Sequence, residues 1–259
     1  MILWLTEGTR HGSWLIVPDP TLSASHIVSI HQPNLFPRVT TITKLLLSST
    51  YVPLTEVQFT QRDYQHRFRI TDRLNHEQAR WSTVPVHLVN GQKTLLPDVR
   101  IVDPQACGSG LFDTLYYHYG TTPGWNVVSD CVSRVCEAIA ADNLVEANLI
   151  SMNFMLELLN WSGSVITDVV QPQCERSMRL ARITKTVGGS AYICGSGGKS
   201  YLDVGVLRAV GVGVISIDYS RLQNVLGPSW KSRSSIDLLC LSGPEVFRST
   251  FEVCQRSVT

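Results

Sequence analysis

Ile27-Val28-Ser29-Ile30-His31-Gln32-Pro33-Asn34-Leu35-Phe36-Pro37 is the stretch on which the reading of this chain turns. Its first four residues are an apolar, β-branched run of the kind that fills a buried strand. Pro33 and Pro37 then stop a strand or a regular helix from running through the loop, and Thr40 to Ser49 resumes with Ile42 and Leu45 to Leu47 as a helix would. The pattern predicts strand, loop and helix, with His31, Gln32 and Asn34 presented where the strand ends. In open α/β sheets, ligands bind outside the carboxyl ends of the strands.

Residues 26 to 105 read as strands and loops punctuated by Pro and Gly, and the run Val84 to Val89 ends at Asn90-Gly91, a turn pair that suits a hairpin. Residues 110 to 160 carry helical spacing in Leu111, Leu115 and Tyr119 and again in Leu144, Asn148 and Met152, with a break at Pro123-Gly124. From Ser164 the pattern alternates: strand Val165 to Thr167, helix about Glu175 to Thr186, strand Ala191 to Ile193, a Gly-rich loop, helix Tyr201 to Val210, strand Val212 to Ile217. That alternation predicts a parallel layer. The expected fold class is α/β, a mixed or mostly parallel sheet with flanking helices, a β-rich first half, a helical middle and a C-terminal βαβ layer. One domain is expected over 26–259, divisible into lobes at 26–105 and 110–259, behind an N-terminal extension at 1–25.

A chain of 259 residues, 44% hydrophobic and 17% charged, buries a large core and is not a disordered segment. Lys+Arg 22 against Asp+Glu 21 gives a net charge of +1, so no global field favours a nucleic-acid partner. The apolar runs fall far short of the roughly 20 residues of a membrane helix. Met1 to Glu7 has no basic residue ahead of its apolar part, unlike a secretory signal, so a cytoplasmic protein is expected. The seven cysteines form no Cys-x-x-Cys pair and have no His at ligand spacing, which predicts reduced, mostly buried thiols and no metal site.

Three segments are candidates for chemistry. His31 brings an imidazole that titrates near neutral pH, flanked by Gln32 and Asn34, whose amides can fix its tautomer or act as turn caps; the bland alternative is a histidine satisfied by local backbone. The loop Gly195-Ser196-Gly197-Gly198-Lys199-Ser200, followed by Tyr201, can cradle a phosphate or carboxylate with its amides and Lys199. It is not a Walker loop, since Ile193 stands where that motif needs its leading glycine, and a tight strand-to-helix turn is an equal reading. The segment from Gln58 through Arg62, Asp63, His66, Arg67 and Arg69 is either an anion clamp or a solvated edge; Arg67 and Arg69 share a face if the chain is extended.

With these residues in view the chain resembles the WbqC-like proteins of bacteria, whose signature is a strand followed by a His-Gln-Pro-Asn-aromatic-Pro loop. The resemblance continues through Leu54-Thr55-Glu56-Val57-Gln58-Phe59, the Arg-rich run 62–70 and Trp81-Ser82-Thr83-Val84-Pro85-Val86, then a helix at Leu144 to Leu159, the Gly-Ser loop after Ala191 and a last helix at Ser235 to Leu239. It implies a role in surface-glycan or natural-product biosynthesis. Thr55-Glu56 replaces the family's acidic pair, leaving Glu56 as the one carboxylate base there, and the late aromatic, proline-rich segment is matched only loosely by Tyr219 to Gln223.

The expected activity is acyl or aminoacyl transfer that forms an amide, with His31 as base, Gln32 and Asn34 on the carbonyl, Glu56 as a second catalytic group, and Gln58, Asp63, Arg67, Arg69, Gly195, Ser196, Gly197, Lys199 and Tyr201 binding substrate. A cyclase, lyase or hydrolase using the same His, or a non-catalytic binder, is the alternative. ATP or a carrier-bound acyl group is the donor class left open, with an acyl carrier protein as the corresponding partner and no metal.

Overall fold

The computed structural model describes residues 26–75, 78–195, 197, 198, 201–228 and 230–255; the extension at 1–25 and Ser196, Lys199 and Ser200 of the Gly-rich loop lie outside them. The predicted opening is observed: β1 (Ile27–His31) enters a loop, α1 (Val39–Leu46) follows, and β2 (Thr50–Pro53) returns parallel to β1. Two antiparallel hairpins come next, β3 (Arg67–Thr71) with β4 (Ala79–Thr83) and β5 (Val86–Leu88) with β6 (Val99–Ile101). The Asn90-Gly91 turn does reverse the chain, with Gly91 at φ 56, but β6 is reached only after two short 3-10 turns.

The helical middle is α2 (Pro104–Tyr119), α3 (Trp125–Ala140) and α4 (Leu144–Leu158). Gly124 explains the break between the first two: a Cβ there would stand 2.1 Å from the Leu239 carbonyl oxygen, so only glycine lets this turn pack on the last helix. The chain then re-enters the sheet through β7 (Ser164–Val165), α5 (Arg176–Thr186), β8 (Ala191–Cys194), α6 (Val204–Ala209) and β9 (Gly213–Ser216), and ends with α7 (Ser220–Leu226) and α8 (Ser235–Gln255), kinked at Gly243 before Pro244.

All five sheet strands are parallel, in the order β7-β2-β1-β8-β9. The sheet therefore joins strands from both halves of the chain. Alternate residues feed opposite faces. Val28, Ile30, Val52 and Tyr192 pack against Leu180 and Ile183 of α5 and Leu207 of α6, whereas Tyr51, Ile193 and Ile215 join the larger core with Ile42 and Leu45 of α1. Each such Leu or Ile side chain, fully buried, contributes about 1.5–3 kcal/mol.

The order reverses direction at β1 and β8, and here the sheet opens. Pairing of β1 with β2 runs to His31 opposite Pro53, and pairing of β8 with β9 runs to Cys194 opposite Ser216, but β1 and β8 stay paired only as far as Val28 and Tyr192. The carboxyl ends of these two strands thus part at the topological switch point, the place where doubly wound sheets bind ligands.

Candidate active site

His31 stands at the carboxyl end of β1, half-buried at that split. Its Nε2–H donates to Asn34 Oδ1 at 3.2 Å, and the Tyr51 hydroxyl donates to its carbonyl oxygen at 3.3 Å. In this tautomer Nδ1 carries the lone pair, and no group among the described residues bonds to it. Burial pushes the imidazole down to about 4, helped by the positive charges of Lys44 and Arg38 and opposed by Asp63 and the Asn34 bond. The ring is therefore neutral near pH 7.

The amides beside it are held by residues far away in sequence. Gln65, fully buried, donates from Nε2 to Gln32 Oε1 at 2.7 Å and accepts from the Thr60 amide at 2.7 Å. Asn148 of α4 donates to the carbonyls of Pro33 and Gln65 at 3.2 and 2.9 Å, so one side chain joins the His31 loop to the 60s loop. Leu35 N adds a bond to Tyr64 O at 2.7 Å. The Asn34 backbone meets Met152 Sδ at 3.1 Å, but its side-chain Nδ2 is buried with no acceptor among the described residues. Leaving such a donor unpaired costs about 1–3 kcal/mol unless a ligand supplies the acceptor.

An arginine cluster is built from Arg38, just ahead of α1, and from Arg67 and Arg69 of β3. Arg67 and Arg69 do share a face of β3, and both guanidinium groups stack on the Trp81 indole of β4, at 4.2 and 5.1 Å from its centroid. Arg38 lies over the Tyr64 ring at 5.0 Å, and Tyr64 meets Trp81 edge to face at 5.2 Å. The Nε atoms of Arg38, Arg67 and Arg69 are buried without an acceptor among the described residues. Asp63, 3.6 Å from Arg38, is the carboxylate paired with this cluster. The arginines outnumber it, so the surface is positive, and burial holds the Tyr64 phenol up at about 12 against their pull.

The structure brings His31, Gln32, Asn34, Asp63, Arg67 and Arg69 onto the end of β1, β3 and the loops beside them, which Gln65 and Asn148 tie together. Other candidates lie apart. Glu56 is exposed, its amide bonded to Gln171, and it is not among the charges that act on His31. Gln58 is tied to the Gln92 carbonyl and bridges to Leu95. His66 is buried, both ring nitrogens facing the carbonyls of Val84 and Gln61. Arg62 is exposed. Beyond β8, Gly195 and Gly198 close a turn through Gly198 N to Gly195 O at 3.0 Å, and Tyr201 lies under the Arg176 guanidinium at 4.3 Å. The helix expected from Tyr201 begins only at Val204, because the Asp203 carboxylate caps its first amides, Gly205 at 2.9 Å and Val206 at 3.3 Å. Gly197 is exposed, and Ser196 and Lys199 lie outside the described residues.

Sequence reasoning missed Lys44, Arg38, Trp81 and Gln65. Lys44 is 4% exposed, and its Nζ donates to Ile30 O at 2.7 Å and lies 5.4 Å from the Tyr192 ring centroid. Burial pulls its pKa down to about 8, with Cys194 acting the other way. Cys194 itself is buried in β8, as its place in an apolar run predicts, and no disulfide joins the described cysteines. Two surface cavities, of about 220 Å³ beside Arg73 and His118 and about 370 Å³ beside Arg182 and Lys185, lie away from the split. No helix among the described residues is long and apolar enough to cross a membrane.

No curated protein and no solved structure matches the chain. The model of the WbqC-like protein family matches residues 32–249, beginning at the loop that follows His31 and taking in both hairpins, the helical middle and the returning strands. That span is most of the sequence, and the chain therefore belongs to the WbqC-like protein family.

Proposed function

We propose that this protein joins an activated acyl or aminoacyl group to the amine of a sugar or natural-product intermediate, forming an amide. Membership of the WbqC-like family points to a biosynthetic, glycan-related role. The observation that carries the finer reading is the pairing of a neutral imidazole, its Nδ1 open, with a buried amide donor, Asn34 Nδ2, that has no acceptor among the described residues. A base and an unpaired hydrogen-bond donor side by side are what attack on a carbonyl requires.

In this reading the acceptor nitrogen attacks the acyl carbon and a C–N bond forms. Asn34 Nδ2 and Gln32 Nε2 donate to the carbonyl oxygen as it gains charge. His31 Nδ1 takes the proton from nitrogen, the bond to the leaving oxygen or sulfur breaks with its electron pair, and His31 returns the proton to that group. Arg38, Arg67 and Arg69 hold the donor's phosphate, which a nucleotide-activated and a carrier-bound donor both possess, and Asp63 keeps Arg38 aligned. Gly195, Gly197, Lys199 and Tyr201 of the loop after β8 are assigned to donor binding in this reading. An imidazole at about 4 is a weak base, but a bound anion offsets Lys44 and Arg38 and moves it back toward its working range.

Incubating the protein with candidate donors and amine acceptors, and reading the product by mass, tests this directly. Transfer adds the acyl mass to the acceptor. A product of unchanged mass would indicate cyclisation or elimination, and tight binding without turnover would indicate a binding protein.

A further inference from the structure

We propose that Lys44 is a ligand-binding residue whose ammonium takes an oxyanion of the donor, a phosphate or carboxylate oxygen, in the split between β1 and β8. This deepens the reading of that crevice as the donor's site and rests on it. Lys44 belongs to α1, all eight residues of which are buried, including this one. Among the described ion pairs none involves Lys44, although each buried ammonium ordinarily requires a counter-charge. Its neighbours are Ile30 O, the Tyr192 ring, His31, Cys194 and, at the loop after β8, Gly195.

An ammonium carries three N–H donors. The Ile30 carbonyl accepts one, at the level of the sheet where β8 no longer pairs with β1. Lys44 thus stands in the opening, beyond the last ladder pair, with hydrogen-bonding capacity left over. The loop after β8 passes close by: a Cβ built on Gly195 would lie at ordinary contact distance, 3.8 Å from Lys44 Cδ and 3.6 Å from the Tyr219 hydroxyl. A buried cation without a carboxylate, at the switch point where β1 and β8 part, is suited to an anion that arrives with the ligand.

The test is calorimetric titration of the full chain with inorganic pyrophosphate, alongside thermal unfolding, for the wild type, Lys44→Met, Lys44→Gln and His31→Gln. Lys44→Met and Lys44→Gln should each bind pyrophosphate at least about tenfold more weakly. The ligand-free Tm of Lys44→Met should stay level or rise, because the substitution removes a buried, unpaired charge. His31→Gln should bind within about threefold of wild type. The inference is overturned if the wild type binds no pyrophosphate, if either Lys44 variant binds it within about twofold of wild type, or if Lys44→Met loses binding only along with its fold while Lys44→Gln keeps both. The binding readout needs no turnover, so it stands or falls separately from the amide-forming reaction.

Discussion

Asn34 Oδ1, three residues further along, accepts a hydrogen bond from His31 Nε2–H at 3.2 Å, and this bond decides which imidazole nitrogen is left basic. Asn34→Leu removes both the acceptor that sets the tautomer and the unpaired donor next to it. Turnover should fall by about 10²–10³, the usual loss for one carbonyl-oxygen donor, while donor affinity changes little. Long-range ¹H–¹⁵N spectra should show the Nε2–H tautomer in the wild type and lose it in the variant.

His31 also makes stability depend on pH. Its folded pKa of about 4 lies below the ordinary 6.5, so between those values the unfolded chain binds more protons and stability rises with pH. Above 6.5 both states are neutral and nothing is lost; below 4 both are protonated and the folded state carries the full penalty, about 3 kcal/mol at most. Denaturant unfolding from pH 4 to 7 should show this slope, and His31→Gln should flatten it.

Trp81 is the platform on which Arg67 and Arg69 both lie. Replacing either arginine with Met should raise the KM for a phosphate-bearing donor by about 10–100-fold with little change in kcat. Lysine should rescue poorly, since it cannot stack on the indole or present a planar fork. Trp81→Ala should reproduce much of the same KM effect, which steady-state kinetics would read.

What the sequence disclosed follows from where its signals are local. The run Ile27 to Ile30, the two prolines after it, and the alternation from Ser164 onward predict the parallel sheet because each signal sits within one element. Arg67 and Arg69 on one face follow from the two-residue period of a strand. Trp81 was out of reach because its position over them depends on the register that sets it opposite Arg69. Lys44 in an amphipathic segment reads as the solvent side of a helix; only the packing of α1 between sheet and outer helices buries it. Gln58, conversely, looks like part of a polar site and serves a bridge between distant loops.

Asn148 shows the same divide: its helical spacing is legible, its partners are not. Its Nδ2 holds two carbonyls, of Pro33 and Gln65, from opposite loops of the site. Asn148→Ala leaves both buried without their donor and should destabilise the fold by about 2–4 kcal/mol, read by denaturant unfolding. Because those loops carry Gln32 and Asn34, turnover should fall in the same variant even well below its Tm.

In the proposed mechanism His31 moves the proton of an amide-forming transfer. Once a donor and acceptor are identified by product mass, the decisive measurement is single-turnover kinetics of His31→Gln against wild type, with donor binding measured in parallel. With His31 as the base, His31→Gln should lose about 10²–10⁴ in the chemical step and keep donor affinity within a few-fold. A loss of no more than a few-fold in that step would contradict it and remove His31 from the chemistry.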